Sequence, residues 1–134
     1  MKKVIFLSGP MKGVSRKESL AWRKKARDLL SKKFVVKHAY RGREVKETFD
    51  DPRSAVARDK YDVLHSDLLL VSDISPNASM IGTAMEVLLA YENNIPVILF
   101  GIGHEKDYFL NYHSHVGYTS LEEACEMINR MFLD

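Results

Sequence analysis

The sequence predicts an α/β fold, a doubly wound parallel sheet with helices on both of its faces. Short runs that are apolar throughout, such as residues 68–71, alternate along the chain with segments of helical periodicity. A strand buried on both faces of a parallel sheet needs no polar alternation. Because crossovers between parallel strands are right-handed, the alternation builds a small doubly wound domain. The length of 134 residues fits a single domain spanning 1–134.

The composition excludes several classes of protein. Lysine and arginine together number 20 and aspartate and glutamate 18, for a net charge of +2, which argues against a nucleic-acid partner. The single cysteine, Cys125, cannot form an internal disulfide, so a reducing compartment fits. No segment reaches the ~20 apolar residues of a membrane span, and the apolar run over 4–7 is too short for a signal peptide. We therefore expect a cytoplasmic protein with no membrane partner.

The first half of the chain is predicted to form two strands and two helices. Residues 4–7 are a continuous apolar run that ends in a Ser-Gly-Pro turn, as buried strands do. A helix follows over about 15–31, and residues 34–36 form the second strand. A polar loop over 39–53 precedes a helix over 54–65. The expected core positions are Trp22, Ala26, Leu29 and Leu30 in the first helix and Val56, Tyr61 and Leu64 in the second, with Arg23 among the charged residues mostly away from the first stripe.

The second half repeats this alternation. Residues 67–72 give the strongest strand signal in the chain because they are almost entirely apolar. The remaining elements, in order, are a loop over 73–81, a helix over about 82–92, a strand over 95–100, a loop over 101–115, a short strand over 116–118 and a final helix over about 120–132. The final helix is expected to bury Leu121, Ala124, Cys125, Ile128 and Met131 on one face.

In doubly wound sheets, ligands bind outside the carboxyl ends of the strands. This rule selects three loops, over residues 8–17, 72–86 and 101–115. The first loop has two glycines that let backbone approach a ligand, and it leads into a helix whose first N–H groups are free. It is either a cradle for a phosphate or a sugar hydroxyl, or a simple turn with Ser15 as the N-cap. Its candidate binding residues are Ser8, Gly9, Pro10, Met11, Lys12 and Gly13.

The second loop carries the carboxyl group of greatest interest, Glu86. Placed in the first turns of a helix at the ligand edge, Glu86 is expected to be held ionised by the helix dipole. An ionised carboxylate there can act as a nucleophile, although a glutamate that only stabilises its own helix has the same pattern. The further candidate binding residues of this loop are Asp73, Ser79, Gly82 and Thr83.

A second carboxyl group comes from the helix before the third strand. Asp59 and Asp62 are three residues apart and share a helix face. Two carboxyl groups about 5 Å apart suit a retaining displacement at an anomeric carbon. A solvated, charged helix is the alternative, and we favour it for Asp62. The histidines, including His113 and His115, show no metal-ligand pattern, so no metal site is predicted.

These segments resemble the nucleoside 2-deoxyribosyltransferase family in order and spacing. The most specific piece is Gly82-Thr83-Ala84-Met85-Glu86, and the match extends through most of the chain. The other matching pieces are Phe6-Leu7-Ser8-Gly9-Pro10-Met11-Lys12-Gly13, the helix segment 18–23, Tyr40-Arg41-Gly42-Arg43-Glu44, Arg58-Asp59-Lys60-Tyr61-Asp62 and Ser66-Asp67.

The resemblance implies a flavodoxin-like fold with a five-stranded sheet and an enzyme that cleaves the N-glycosidic bond of 2′-deoxynucleosides. Glu86 falls at the family's nucleophile, and Asp59 at a carboxyl group that assists the leaving base. The implied substrate is a small nucleoside or nucleotide, with no metal or organic cofactor. Relatives are homo-oligomers with sites near the subunit interface, and residues 111–118 are the candidate cross-subunit contribution.

Two positions depart from the family pattern. Many relatives have a tyrosine at Phe6, whose hydroxyl orients the glutamate, so the positioning of Glu86 must come from elsewhere. Many also have a serine six residues before the glutamate, where this chain has Met80 and the serine is Ser79.

Two other functions stay open. A hydrolase of 2′-deoxynucleoside 5′-monophosphates would use the charges of Lys12 and Arg16 on the phosphate. A non-catalytic nucleotide-binding module would keep the loops without needing Glu86. A response-regulator domain is disfavoured, because the first strand ends in Phe6-Leu7-Ser8 with no acidic residue.

Overall fold

A five-stranded parallel sheet forms the centre of the protein, in the order β2-β1-β3-β4-β5. The computed structural model describes residues 2–30, 32–40 and 51–132. Every pair of neighbouring strands is parallel, and the order is that of flavodoxin-like folds. The predicted fold class is therefore confirmed. The strands are β1 (Lys3–Ser8), β2 (Phe34–His38), β3 (Leu68–Ser72), β4 (Val97–Phe100) and β5 (Val116–Tyr118).

Helices cover both faces of the sheet. They are α1 (Arg16–Leu30), α2 (Pro52–Leu64), α3 (Ile81–Glu92), α4 (Tyr108–Tyr112) and α5 (Leu121–Met131). Helices α1 and α5 bury their apolar residues in one cluster with the sheet, and α2, α3 and α4 bury theirs in a second cluster. The short helix α4 lies within the predicted loop over 101–115, where the spacing gives too few apolar positions to indicate a helix.

The central strand β3 shows why its sequence lacks polar alternation. All five of its residues are buried. Leu68 and Leu70 belong to the cluster under α1 and α5, whereas Leu69 and Val71 belong to the cluster under α2 and α3. Successive side chains point to opposite faces of a strand, so both faces of β3 have to be apolar.

Helices α1 and α2 begin after polar caps, whereas α3 follows Met80 and has no side-chain cap. The Ser15 hydroxyl accepts a hydrogen bond of 3.1 Å from the backbone N–H of Glu18, which confirms the predicted N-cap of α1. Helix α2 begins at Pro52, two residues before the predicted start, because Asp51 accepts a hydrogen bond from Arg53 N and proline suits the first helical position. Residues 41–50, most of the predicted loop over 39–53, lie outside the described residues.

Several predicted core positions are wrong. Leu29, Val56, Tyr61, Leu64 and Met131 are all exposed, although the remaining predicted positions of α1 and α5 pack in the core. In α1 the side facing the sheet is already filled by Ala26 and Leu30. In α2 the buried residues are Asp62 and Val63, so its larger apolar side chains face outward. The interpretation of Asp62 as a solvated residue is also wrong.

No helix in the described ranges has the length and apolar character that crossing a membrane requires. Within those same ranges, no group of three or more His, Cys, Asp or Glu side chains is arranged to hold a metal ion. Cys125 is buried in the cluster between α1, α5 and the sheet. Burial raises the pKa of its thiol to about 12.

Candidate active site

A cavity of about 620 Å³ opens at the carboxyl end of β1, lined by residues of α1, α2 and α3. Its volume lies in the range of small-molecule sites, roughly 300–1,000 Å³. The edge of the sheet is the one that the doubly wound topology favours for ligands. The sequence-predicted residues that line it are Ser8, Gly9, Pro10, Met11, Lys12, Asp59, Ser79, Gly82, Thr83 and Glu86.

Glu86 is held in this cavity by the end of the first strand. The hydroxyl of Ser8, the last residue of β1, donates a hydrogen bond of 2.6 Å to Glu86 Oε1. This length is that of a charge-assisted O–H···O⁻ bond. Phe6 also lines the cavity but has no hydroxyl. Ser8 therefore provides the positioning of the carboxyl group that Phe6 cannot.

Burial determines the protonation of Glu86. The pKa of Glu86 is raised from 4.5 to about 7. Desolvation is the main cause and the charge of Asp59 adds to it, while the hydrogen bond from Ser8 and the charge of Arg23 lower the pKa. The sequence predicted that the helix dipole holds the side chain ionised. That prediction is wrong, because Glu86 lies in the second turn of α3, beyond the turn where the dipole acts, and desolvation favours the neutral acid.

Asp59 supplies a second carboxyl group to the same cavity. It comes from α2, and its side chain is 18% exposed. The guanidinium of Arg58 lies 4.0 Å from Asp59 Oδ1 and also donates a hydrogen bond of 2.8 Å to the carbonyl of Ala39. Because Asp59 affects the pKa of Glu86, the two carboxyl groups interact electrostatically. Asp62 is not among the residues that line the cavity.

A buried arginine also lines the cavity, and the sequence analysis missed it. Arg23 is 1% exposed, and burial lowers the pKa of its guanidinium to about 10. The spacing contains the relevant information, because Arg23 lies three residues before Ala26 and seven before Leu30, on the buried face of α1. The sequence analysis placed Arg23 on the exposed face of this helix, because arginine is rarely fully buried.

Two of the predicted binding residues, Gly13 and Asp73, do not line the cavity. Gly13 has a φ of +87°, and a Cβ there would lie 3.0 Å from the Cα of Ala78. Its conformation thus lets the first loop pack against the loop that follows β3. Asp73 is fully buried and binds the loop after β4, accepting hydrogen bonds from the backbone N–H of His104 (2.9 Å) and pairing with its Nδ1 (2.6 Å).

The displaced serine of the second loop stays at the cavity. Ser79 lines it, and its backbone N–H donates a hydrogen bond of 3.1 Å to the carbonyl of Lys12. Met80 is buried in the core cluster beneath α3 instead. The one-residue departure from the family spacing therefore leaves a serine at the site.

The positive charges near the cavity are distributed unequally. Lys12 and Lys60 line the cavity, and both are exposed residues. Arg16 does not line it; its guanidinium lies 5.1 Å from the centre of the Tyr40 ring. Of the two charges considered for a substrate phosphate, only that of Lys12 is therefore at the cavity.

Several solved structures are similar to this one over nearly their whole length. A conserved protein from Enterococcus faecalis matches with a TM-score of 0.72 and 19% identity, covering 98% of this chain and all of that one. A 2-deoxyribosyltransferase from Bacillus psychrosaccharolyticus matches with a TM-score of 0.71 and 20% identity, over 90% of this chain and 88% of the other. A CMP N-glycosidase from Clostridium botulinum matches with a TM-score of 0.65 and 17% identity, over 97% and 100%.

These similarities establish a shared fold. They confirm the sequence resemblance at the level of the fold, because a 2-deoxyribosyltransferase is among the matching structures. No protein-family model matches the chain, and no curated protein matches it by sequence. A fold hosts many functions, so an argument about activity has to come from the side chains in the cavity.

Proposed function

We propose that this chain is a single-domain nucleoside 2-deoxyribosyltransferase that transfers the deoxyribosyl group of a 2′-deoxynucleoside to another base. The observation that carries the proposal is the Ser8–Glu86 hydrogen bond within a cavity that also contains Asp59. A retaining displacement at an anomeric carbon needs one carboxylate as nucleophile and one carboxyl group as acid and base. The matching structures of a deoxyribosyltransferase and an N-glycosidase support the same chemistry.

The first step breaks the bond between the sugar and the base. Glu86 in its ionised form attacks C1′ through an oxocarbenium-like transition state, and a bond forms between the carboxylate oxygen and C1′. The C1′–N bond breaks, and its electron pair stays on the base nitrogen. Asp59 in its acid form gives a proton to the departing base. The product is a deoxyribosyl ester of Glu86 and a free base.

The second step reverses the first with a different base. A nitrogen of the acceptor base attacks C1′, and Asp59 takes the proton that this nitrogen loses. The ester bond breaks, and its electron pair returns to Glu86 as a carboxylate. Two displacements at C1′ give net retention of configuration. Water as the acceptor gives free deoxyribose instead.

The shape and polarity of the cavity suit a nucleoside. Apolar side chains form much of its wall, and polar side chains such as Ser8, Asp59 and Glu86 line the rest. Apolar walls with a few placed polar groups are typical of small-molecule sites. The apolar residues of the wall are Phe6, Leu7, Pro10, Met11, Ala39, Val56, Met85, Leu88 and Leu89.

A hydrolase of 2′-deoxynucleoside 5′-monophosphates is the second candidate, and Lys12 favours it. Lys12 lines the cavity, and a contact from its ammonium group to a 5′-phosphate would be charge-assisted. A panel of 2′-deoxynucleosides and their 5′-monophosphates, each with and without a labelled acceptor base, separates the two. Incorporation of the labelled base identifies the transferase, whereas free deoxyribose 5-phosphate identifies the hydrolase. A panel that binds without any turnover would identify a non-catalytic nucleotide-binding module.

The proposal includes a homo-oligomer, because large apolar side chains are exposed both at the cavity and on the neighbouring helix α4. Met85 lines the cavity and is 68% exposed, and α4 packs against α3 with Phe109 81% exposed. Tyr108 and Tyr112 of α4 are also largely exposed. Three such aromatic side chains offer on the order of 400 Å², about half of what one partner buries in a stable interface.

A second copy of the chain is the proposed occupant of this surface. Sedimentation of the wild-type protein should show a dimer or larger oligomer. Phe109→Glu should shift the protein towards monomer, because burying a carboxylate in an apolar interface is unfavourable. A wild-type monomer at micromolar concentration would contradict the proposed assembly.

A further inference from the structure

Arg23 is a fully buried cation whose hydrogen bonds within the described part of the chain go to neutral groups. Its Nη1 donates to the hydroxyl (2.7 Å) and the carbonyl (2.9 Å) of Ser19, and its Nη2 donates to the carbonyl of Gly9 (3.0 Å). The guanidinium lies over the rings of Trp22 and Tyr40, at 4.6 and 5.2 Å from their centres. Burying a charge among neutral partners costs several kcal/mol, so its retention at this place requires a reason.

The contact to Gly9 connects Arg23 with the proposed nucleophile. Gly9 follows Ser8 directly, and the Ser8 hydroxyl donates to Glu86 Oε1. The guanidinium thus holds the Gly9 carbonyl, and the residue before it, Ser8, provides the hydroxyl that orients Glu86. The two hydrogen bonds involve adjacent residues, so a shift of the turn would change the geometry at the carboxylate.

The turn is also confined sterically. A Cβ at Gly9 would lie 2.9 Å from the Trp22 ring and 3.2 Å from the Cβ of Ser72. The Trp22 ring itself packs edge-on against Phe100, with ring centres 5.5 Å apart. The backbone at Gly9 therefore lies close against the helix that carries Arg23, and the guanidinium holds the carbonyl of the same residue.

The charge of Arg23 acts on the carboxyl groups of the cavity. Glu86 and Asp59 each raise the pKa of Arg23, and Arg23 in turn opposes the increase in the pKa of Glu86. Its Nε is buried and has no hydrogen-bond partner among the described residues. The guanidinium thus acts on both carboxyl groups through its charge and not through a hydrogen bond among the described residues.

We propose that Arg23 is a positioning residue for the reaction at Glu86: it clamps the Gly9 carbonyl, so that the Ser8 hydroxyl stays on the carboxylate, and it stabilises negative charge in the cavity. The inference rests on the proposed function. It also gives a reason for the buried cation. This chain has Phe6 where many relatives have a tyrosine, so the Ser8 hydroxyl orients Glu86. Arg23 keeps Ser8 in place through its hydrogen bond to the carbonyl of the next residue, Gly9.

The test compares three arginine variants. Arg23→Met removes the charge and the clamp at similar volume, and Arg23→Lys keeps the charge but cannot reach Ser19 and Gly9 together in a planar fork. Arg27→Met is the matched control, because Arg27 lies one turn further along α1 and contacts His38 away from the cavity. Each is assayed for kcat and KM against pH, and the folded state of each is checked by circular dichroism.

Folded Arg23→Met should lose about 10- to 100-fold in kcat with KM changed less than threefold. The acidic limb of its pH–activity profile should move up by as much as about one pH unit, because Arg23 lowers the pKa of Glu86. Arg23→Lys should keep the limb of the wild type and lose less activity. Arg27→Met should leave both unchanged. A folded Arg23→Met with wild-type kcat and pH profile overturns the inference, as does a variant that raises KM alone, since that identifies a substrate contact.

Two further measurements keep the inference testable. If Arg23→Met does not fold, Gly9→Ala displaces the same turn from Trp22 and should show the same loss of kcat; a wild-type kcat in that variant overturns the clamp. The titration of a ¹³C-labelled Glu86 carboxyl group follows its ionisation without any assay of turnover. A higher midpoint in Arg23→Lys than in Arg23→Met contradicts the role of the charge, even if the proposed reaction itself proves wrong.

Discussion

The Ser8 hydroxyl donates a hydrogen bond of 2.6 Å to the carboxyl group of Glu86, across 78 positions of the chain. Ser8 ends β1 and Glu86 lies in the second turn of α3. The fold brings them together because α3 follows β3, and β3 is the neighbour of β1 in the sheet. One hydrogen bond thus fixes the direction of a buried carboxylate that faces the cavity.

The first prediction concerns Ser8→Ala. Loss of a hydrogen bond to a charged group should reduce kcat by about 10- to 100-fold. The acidic limb of the pH profile should also move upward, because the Ser8 hydroxyl lowers the pKa of Glu86. Steady-state kinetics against pH checks both effects. Ser120→Ala is the control, since its hydroxyl caps α5 away from the cavity; equal losses in both variants would refute the prediction.

The second prediction concerns the pH dependence of the wild-type enzyme. The nucleophile has to be ionised, and burial raises the pKa of Glu86 to about 7. Activity should therefore be lost as the pH falls through about 7, with kcat/KM decreasing roughly tenfold per pH unit below it. A profile that stays flat down to pH ~4.5, the ordinary value for a glutamate, would show that Glu86 is not the titrating group.

The third prediction separates the two candidate substrates through Lys12→Ala. If the substrate has a 5′-phosphate, loss of a charge-assisted contact should raise KM for the monophosphate by about 10- to 100-fold. KM for the free 2′-deoxynucleoside should change little. Lys24→Ala, on an exposed position of α1 away from the cavity, is the control. Equal KM changes for both substrates would rule out a phosphate contact at Lys12.

The fourth prediction concerns Asp73, which the sequence analysis counted among the binding residues. Because Asp73 binds the backbone and ring of His104 away from the cavity, Asp73→Asn should act on stability. We expect the free energy of unfolding to fall by about 1–3 kcal/mol, with KM changed less than threefold. Urea unfolding and initial rates measure the two quantities. A large rise in KM at unchanged stability would contradict this prediction and indicate that Asp73 contributes to substrate binding.

The sequence predicted the fold well because each level of pattern pointed to the same arrangement. Apolar strands such as β3 are possible only between two layers of helices, and the Ser15 cap sits where the pattern placed it. The buried faces of the helices were predicted less well. In α2, apolar residues such as Val56 and Tyr61 are exposed, because periodicity identifies a stripe but not the direction in which a neighbouring surface lies.

The candidate site was likewise predicted in part. The rule for the carboxyl ends of strands selected Ser8 and Glu86 correctly as neighbours of one cavity. Arg23 was missed, because its burial depends on partners that come from elsewhere in the chain, among them the Gly9 carbonyl and Tyr40. The protonation of Glu86 was also mispredicted, since the folded cavity desolvates the carboxyl group and Glu86 lies beyond the helix turn where the dipole acts.

The most direct test of the account is capture of the covalent intermediate on Glu86. A 2′-fluoro analogue of the deoxynucleoside slows both displacements, because fluorine destabilises the oxocarbenium-like transition state, and intact-mass spectrometry with peptide mapping then locates the sugar. The account predicts one fluorinated deoxyribosyl group per chain, esterified to Glu86, and neither adduct nor turnover in Glu86→Gln. An adduct on another residue, or sustained turnover by Glu86→Gln, would contradict it.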